Sequence, residues 1–173
     1  MDETSGKAEN GGVGVVEVPS GTAEVELRIL SQPRYLAGAR DMIDAVARRL
    51  GFDELNAGQI ALAVDEALAN VIRHGYDKRL DGVIWLRVWP IEGGEGQGGR
   101  AGLVMTVEDE AKQVDPSAIK SRELTDVRPG GLGVYLISQI MDASRWERRE
   151  DCGMRLIMTK YVGGSSERAD HAG

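Results

Sequence analysis

One cysteine in 173 residues, Cys152, excludes an internal disulfide and a cysteine-built zinc site. It lies in Glu150-Asp151-Cys152-Gly153, which reads as a turn between strands, and nothing beside it marks a nucleophile. No apolar run approaches the ~20 residues that a membrane-spanning helix needs. No charged-then-apolar leader resembles a signal peptide. The reading is a cytoplasmic chain with no membrane partner. An excess of positive charge is also missing. Lys and Arg number 21 against 28 Asp and Glu, a net charge of −7, which argues against direct nucleic-acid binding. No Gly-Lys-Ser/Thr closes a Walker A loop. No G-x-G-x-x-G opens a βαβ unit either, so the two commonest nucleotide signatures are absent. There is no internal repeat.

What remains is a chain with 42% hydrophobic residues and a length suited to one domain with a real core. Residues 1–20 are acidic, glycine-rich and unpatterned, and are expected to be a disordered segment. Thr22–Ile29 alternates as a strand. Pro33 opens a helix at its favoured first turn, running to about Leu50, with Gly51 as the stop. A second helix covers about Leu55–His74. Val83–Trp89 and Ala101–Glu108 read as strands, joined by a long loop with five glycines between 93 and 99. Ser117–Pro129 is polar and reads as a lid. Ala143–Arg149 and Met154–Tyr161 form a last hairpin, and 163–173 is a loose tail. Domain limits are thus 1–20, 21–162 and 163–173. The three Trp residues, 85, 89 and 146, all fall on strands and read as core or sheet-face residues. Pattern alone implies an α+β fold.

Three motifs carry chemistry, in a fixed order. Asp65-Glu66-Ala-Leu-Ala-Asn70 lies on the second helix, beside an apolar stripe of Ile60, Val64, Ala67, Leu68 and Val71. Glu66 and Asn70 are spaced i, i+4 and share one face. Asn70 offers a neutral oxygen suited to Mg, a hard cation that takes phosphate oxygens and waters as its other ligands. Glu66 could orient or deprotonate an attacking hydroxyl. For an isolated Glu/Asn pair, a solvated polar stripe is the commoner explanation, and His74 reads as a satisfied structural histidine. The second motif, Val107-Glu108-Asp109, ends a strand with a carboxylate that could recognise a base. The third, Gly130-Gly131-Leu132-Gly133, precedes Val134–Met141, which has helix length and no breaker. Residues without a Cβ let backbone amides approach a phosphate closely, with the helix dipole behind them. A plain glycine connector before a buried helix is an equal alternative for that loop taken alone.

Together these residues resemble the ATPase fold shared by gyrase, histidine kinases and the mismatch-repair ATPase. Within it the likeness is to bacterial anti-sigma factor serine kinases, over roughly residues 22 to 162. Ala63-Val-Asp-Glu66-Ala-Leu-Ala-Asn70-Val-Ile-Arg-His74-Gly-Tyr76 resembles their N-box. Gly130-Gly-Leu-Gly-Val-Tyr-Leu-Ile-Ser-Gln-Ile-Met-Asp142 resembles their second glycine box, and Gly51-Phe52 also fits. The middle box departs from Asp-x-Gly: Asp109 is kept, but Ala111 and Gln113 stand where glycines would let the base approach. A methyl at Ala111 is a small obstruction and disfavours a left-handed backbone.

The resemblance implies a two-layer α/β sandwich of the Bergerat type, its mixed, mainly antiparallel sheet covered by helices. It implies ATP and Mg2+ as cofactors, with Asn70 as the metal residue. Glu66 would act on the incoming serine or a water, and Asp109, beside Ala111, would accept the adenine amino group. Gly131, Leu132 and Gly133 would hold phosphates, and Arg128 at the lid's end would pair with the γ-phosphate. The implied activity is that of an ATP-dependent protein serine kinase. It would sequester an alternative sigma factor and phosphorylate a STAS-type anti-anti-sigma protein, in a group where homodimers are common. The rival expectation is a binding module whose altered middle box has cost it kinase activity. A histidine-kinase catalytic domain fits less well, because His74 and His171 are the only histidines and neither lies on a preceding dimerisation helix. A gyrase-like machine would need a transducer domain.

Overall fold

The computed structural model describes residues 17–93, 99–119 and 132–163. Most of the expected N-terminal segment, most of the lid with Arg128, Gly130 and Gly131 of the glycine box, and nearly all of the tail lie outside the described residues. Five strands, β1 (Val25–Leu30), β2 (Val83–Ile91), β3 (Gly102–Asp109), β4 (Ala143–Arg148) and β5 (Met154–Tyr161), form one sheet in the order β1-β2-β3-β5-β4. Each of the four pairings among these described strands is antiparallel. Three helices, α1 (Leu36–Arg49), α2 (Glu54–Asn70) and α3 (Leu132–Ile140), cover one face. This is the expected two-layer α+β sandwich.

Alternation along the strands decides which side chains meet the helices. Ile84, Leu86, Val88, Met105, Val107, Leu156 and Met158 form a core with Ile43 of α1, Ile60, Val64 and Leu68 of α2, and Ile137 of α3. The helix read from Pro33 begins instead as a 3-10 turn, Pro33–Tyr35, and becomes α-helical at Leu36. Asp53 caps α2 by accepting a hydrogen bond from the Asn56 amide at 2.7 Å, satisfying one of the helix's open donors. The chain entering the sheet also packs early. Val18 and Ala23 lie against Trp89, Val104 and Ile157 on the far face, and the Trp89 indole donates to the Gly21 carbonyl at 2.9 Å. Trp85 and Trp89 are thus sheet-face residues, as their strand positions imply.

The far face carries an ion network. The Glu108 carboxylate, only 4% exposed, meets Arg87 Nη1 at 2.9 Å, Arg155 Nε at 3.1 Å and Arg149 Nε at 3.4 Å. Burial alone would push its carboxyl up. The hydrogen bond and charge of Arg155, then Arg87, prevail and hold it below the usual range. A carboxyl whose folded pKa is depressed contributes stability that is present above its unfolded pKa and lost as pH falls through the folded value. The protein is therefore expected to lose thermal stability on acidification below the ordinary Glu range. Glu108→Ala should flatten that dependence and cost about 3 kcal/mol at neutral pH, the low end for breaking a buried pair. The low end applies because the three arginines keep a quarter to a third of their surface in water. Melting curves against pH check both statements.

Candidate active site

The site is built where α2 ends. After Asn70 the chain makes a single π-turn, Val71–Gly75, closed by the Tyr76 amide on the Val71 carbonyl at 2.9 Å. Such widened turns often mark functional sites. Asp77 and Lys78 follow at φ 48° and 63°, the only non-glycine left-handed residues among those described. They turn the chain so that Tyr76 is buried, its hydroxyl donating to the Val83 carbonyl at 2.6 Å and accepting from the Glu110 amide at 2.8 Å. One phenol thus ties the end of the N-box to the loop after β3.

Glu66 and Asn70 share a half-buried stripe of α2, and α3 approaches them with a glycine. A Cβ placed on Gly133 would stand 2.5 Å from Glu66 Oε2, 3.1 Å from Asn70 Nδ2 and 3.4 Å from Asn70 Oδ1. Only a residue without a side chain lets the start of α3 come this close. Asn70 Nδ2 is buried and has no hydrogen-bond partner among the described residues. A buried amide without a partner carries a desolvation cost of about 1–3 kcal/mol. Such a donor beside a glycine at the head of a helix suits a phosphate-bearing, metal-assisted ligand, so the residues fit the group that the sequence implies. Leu132, the first residue of α3, is exposed.

Arg73 was not singled out by the sequence reading. Its Nη2 lies 3.4 Å from both Glu66 Oε2 and Asn70 Oδ1, spanning the pair. Its spacing of three residues from Asn70 and seven from Glu66 puts it on the same helical stripe, which is the signal that could have found it. His74, expected to be a satisfied structural histidine, is instead exposed at the π-turn. The widened turn swings it off the face that the straight 3.6-residue period would have given it.

Asp109 ends β3 on the helix-facing side and is buried. Its Oδ1 accepts from the Ala111 amide at 2.8 Å and from the Met154 amide at 3.2 Å, while Oδ2 accepts no hydrogen bond among the described residues. Burial raises its pKa, and the two amides and the charge of Arg149 only partly offset that. Ala111 is buried, and its methyl packs against Gly75 of the π-turn: a Cβ at Gly75 would lie 3.2 Å from it. Ala111 is not among the left-handed residues, so the backbone strain expected at this departure from Asp-x-Gly does not arise. The N-box, the Asp109 loop and the start of α3 therefore meet in one place. Arg128 and Gly131 fall outside the described residues.

The family model for the histidine kinase-like ATPase domain matches residues 29–160, which run from the end of β1 into β5 and hold all three helices. The chain belongs to this family. Within the histidine kinase-like ATPase family, it is 28% identical to the serine-protein kinase RsbW of Bacillus subtilis over 85% of this chain and 89% of that one. The same-named kinase of Halalkalibacterium halodurans is 29% identical over 80% and 83% of the two chains. The RsbW of Listeria innocua is 26% identical over 80% and 87%. Among solved structures, the histidine kinase domain of a blue-light activated histidine kinase from Erythrobacter litoralis aligns with a TM-score of 0.47 and 21% identity, covering 75% of this chain and 60% of that chain.

Proposed function

We propose that this protein is an ATP-dependent serine kinase that regulates an alternative sigma factor by binding it, and that is itself opposed by a STAS-type anti-anti-sigma protein whose serine it phosphorylates. The observation that carries this reading is the apposition of Gly133 to Glu66 and Asn70, with the amide of Asn70 left for a ligand to satisfy. Similarity to serine-protein kinases along most of the chain supports the reaction type.

Bound Mg-ATP supplies the transferable phosphoryl group and the charge neutralisation that phosphoryl transfer depends on. The remaining work falls to the chain. Asn70 would offer Oδ1 to the metal and Nδ2 to a phosphate. Glu66 would accept a hydrogen bond from the partner's serine hydroxyl, align it and take up its proton. Arg73, already within reach of both residues, keeps positive charge beside them. Asp109 offers Oδ2 to the exocyclic amine of adenine, which a guanine carbonyl cannot match. Buried Ala111 and Tyr76, with Gly75 packed on the Ala111 methyl, would shield that contact from water.

Asn70→Ala tests the metal assignment. The variant should fold, because Asn70 is half-buried at the last turn of α2 and, among the described residues, its side chain makes only the exposed 3.4 Å contact with Arg73. Calorimetry with ATP should then lose its Mg dependence. Mg-ATP affinity equal to that of the unaltered protein would remove Asn70 from the site.

A further inference from the structure

The turn between β4 and β5 is bound to the loop after β3 by contacts on both of its arms. Arg149 Nη1 donates to the Asp109 carbonyl at 2.6 Å, and Arg149 Nε faces Glu108 Oε2 at 3.4 Å. The same guanidinium lies 5.2 Å over the ring of Trp85. In return the Gln113 side-chain amide donates to the Arg149 carbonyl at 2.6 Å, and Arg148 Nε donates to the Val114 carbonyl at 3.0 Å. From the other arm the Met154 amide reaches Asp109 Oδ1 at 3.2 Å. Gly153, at φ +78°, sits so close to the Asp109 carbonyl that a Cβ there would collide with it. The turn itself is closed by the Arg149 amide on the Gly153 carbonyl at 3.2 Å.

We propose that Arg149 and Gln113 are positioning residues for base recognition: the β4–β5 turn holds the Asp109 carboxylate in place, and through it sets the preference for adenine over guanine. This rests on the reading that Asp109 accepts the adenine amine. Neither residue reaches the nucleotide site itself. Arg149 approaches from the far face of the sheet, and the Gln113 side chain is spent on the turn. Gln113 stands where a glycine is expected, and its amide supplies a tie that a glycine cannot make.

The test compares the intact protein with Arg149→Met, Arg149→Lys, Gln113→Ala and Asp109→Asn, measuring ATP and GTP affinity across pH together with KM and kcat for partner phosphorylation. Arg149→Met and Gln113→Ala should each weaken ATP about tenfold, the equivalent of one lost hydrogen bond. They should leave GTP nearly unchanged, raise KM for ATP and spare kcat. Arg149→Lys should recover part of the loss. ATP affinity should also fall on acidification as Asp109 takes up its proton. Arg149, held on the Asp109 backbone carbonyl, lends that carboxylate positive charge from across the strand; Glu108 and Glu110 on its own strand and loop and the Tyr76 hydroxyl are the other titratable groups around it among the described residues. Removing Arg149 should move the acid limb to higher pH, whereas a loss of packing alone would weaken binding equally at every pH. Asp109→Asn losing its ATP preference while Arg149→Met and Gln113→Ala keep theirs would overturn the bracing role alone. Asp109→Asn retaining the full preference would overturn the adenine assignment, and the proposal with it.

Discussion

Glu66→Gln is expected to bind Mg-ATP as the unaltered protein does and to phosphorylate its partner roughly 10²–10⁴-fold more slowly, the usual worth of a positioned general base. The amide keeps the size and the hydrogen-bonding reach of the carboxylate but cannot take a proton. Glu66 keeps about a quarter of its side chain in solvent, and its recorded partner is Arg73 at 3.4 Å, so no fold-stabilising bond is lost with the charge. Single-turnover transfer, measured beside calorimetry on the same preparation, separates the two effects. A variant that transfers phosphate at the original rate would remove Glu66 from the chemistry.

Gly133→Ala should come close to the same loss by a steric route. Its methyl would arrive 2.5 Å from Glu66 Oε2 and 3.1 Å from Asn70 Nδ2. Contacts that short cannot stand, so either the Glu66 carboxylate swings away or the start of α3 withdraws. Both responses separate the Glu66 carboxylate from the head of α3. Because alanine favours a helix over glycine by about 0.5–1 kcal/mol, the empty variant should melt no lower than the parent. Nucleotide affinity should fall as well, which distinguishes this variant from Glu66→Gln. The double variant should transfer phosphate no more slowly than the worse single one, since both changes disable the same unit. Full activity in Gly133→Ala would mean that α3 and α2 do not close on the ligand as their apposition implies.

Much of this was legible in the chain. The N-box helix announces itself through an apolar stripe at helical period with Glu66 and Asn70 alongside, and both residues lie where that period puts them. The glycine before α3 and the carboxylate at the end of β3 are local signals, and the structure brings Gly133 to Glu66 and Asn70, and Ala111 to Gly75. The sandwich follows from alternating strands and amphipathic helices. Other features depend on tertiary contact. Gln113 and Arg149 are 36 residues apart and follow no period, so their tie is invisible until β3, β4 and β5 pair. The ion cluster at Glu108 needs arginines from β2, β5 and the β4–β5 turn on one face. The exposure of His74 and the burial of Tyr76 arise from a single π-turn, a change of one residue in helical period that no pattern of hydrophobicity records. Ala111 looked like an obstruction because a family pattern placed glycine there; here its backbone needs no left-handed angle.

The most direct test of the central claim is transfer of the γ-phosphoryl group of Mg-ATP to a purified STAS-type antagonist, followed by mass spectrometry of the antagonist. One phosphate on one serine, dependent on Mg and lost in Glu66→Gln, is the predicted result. No transfer, together with no ATP binding at millimolar concentration, would contradict the kinase and leave a protein that works by binding alone.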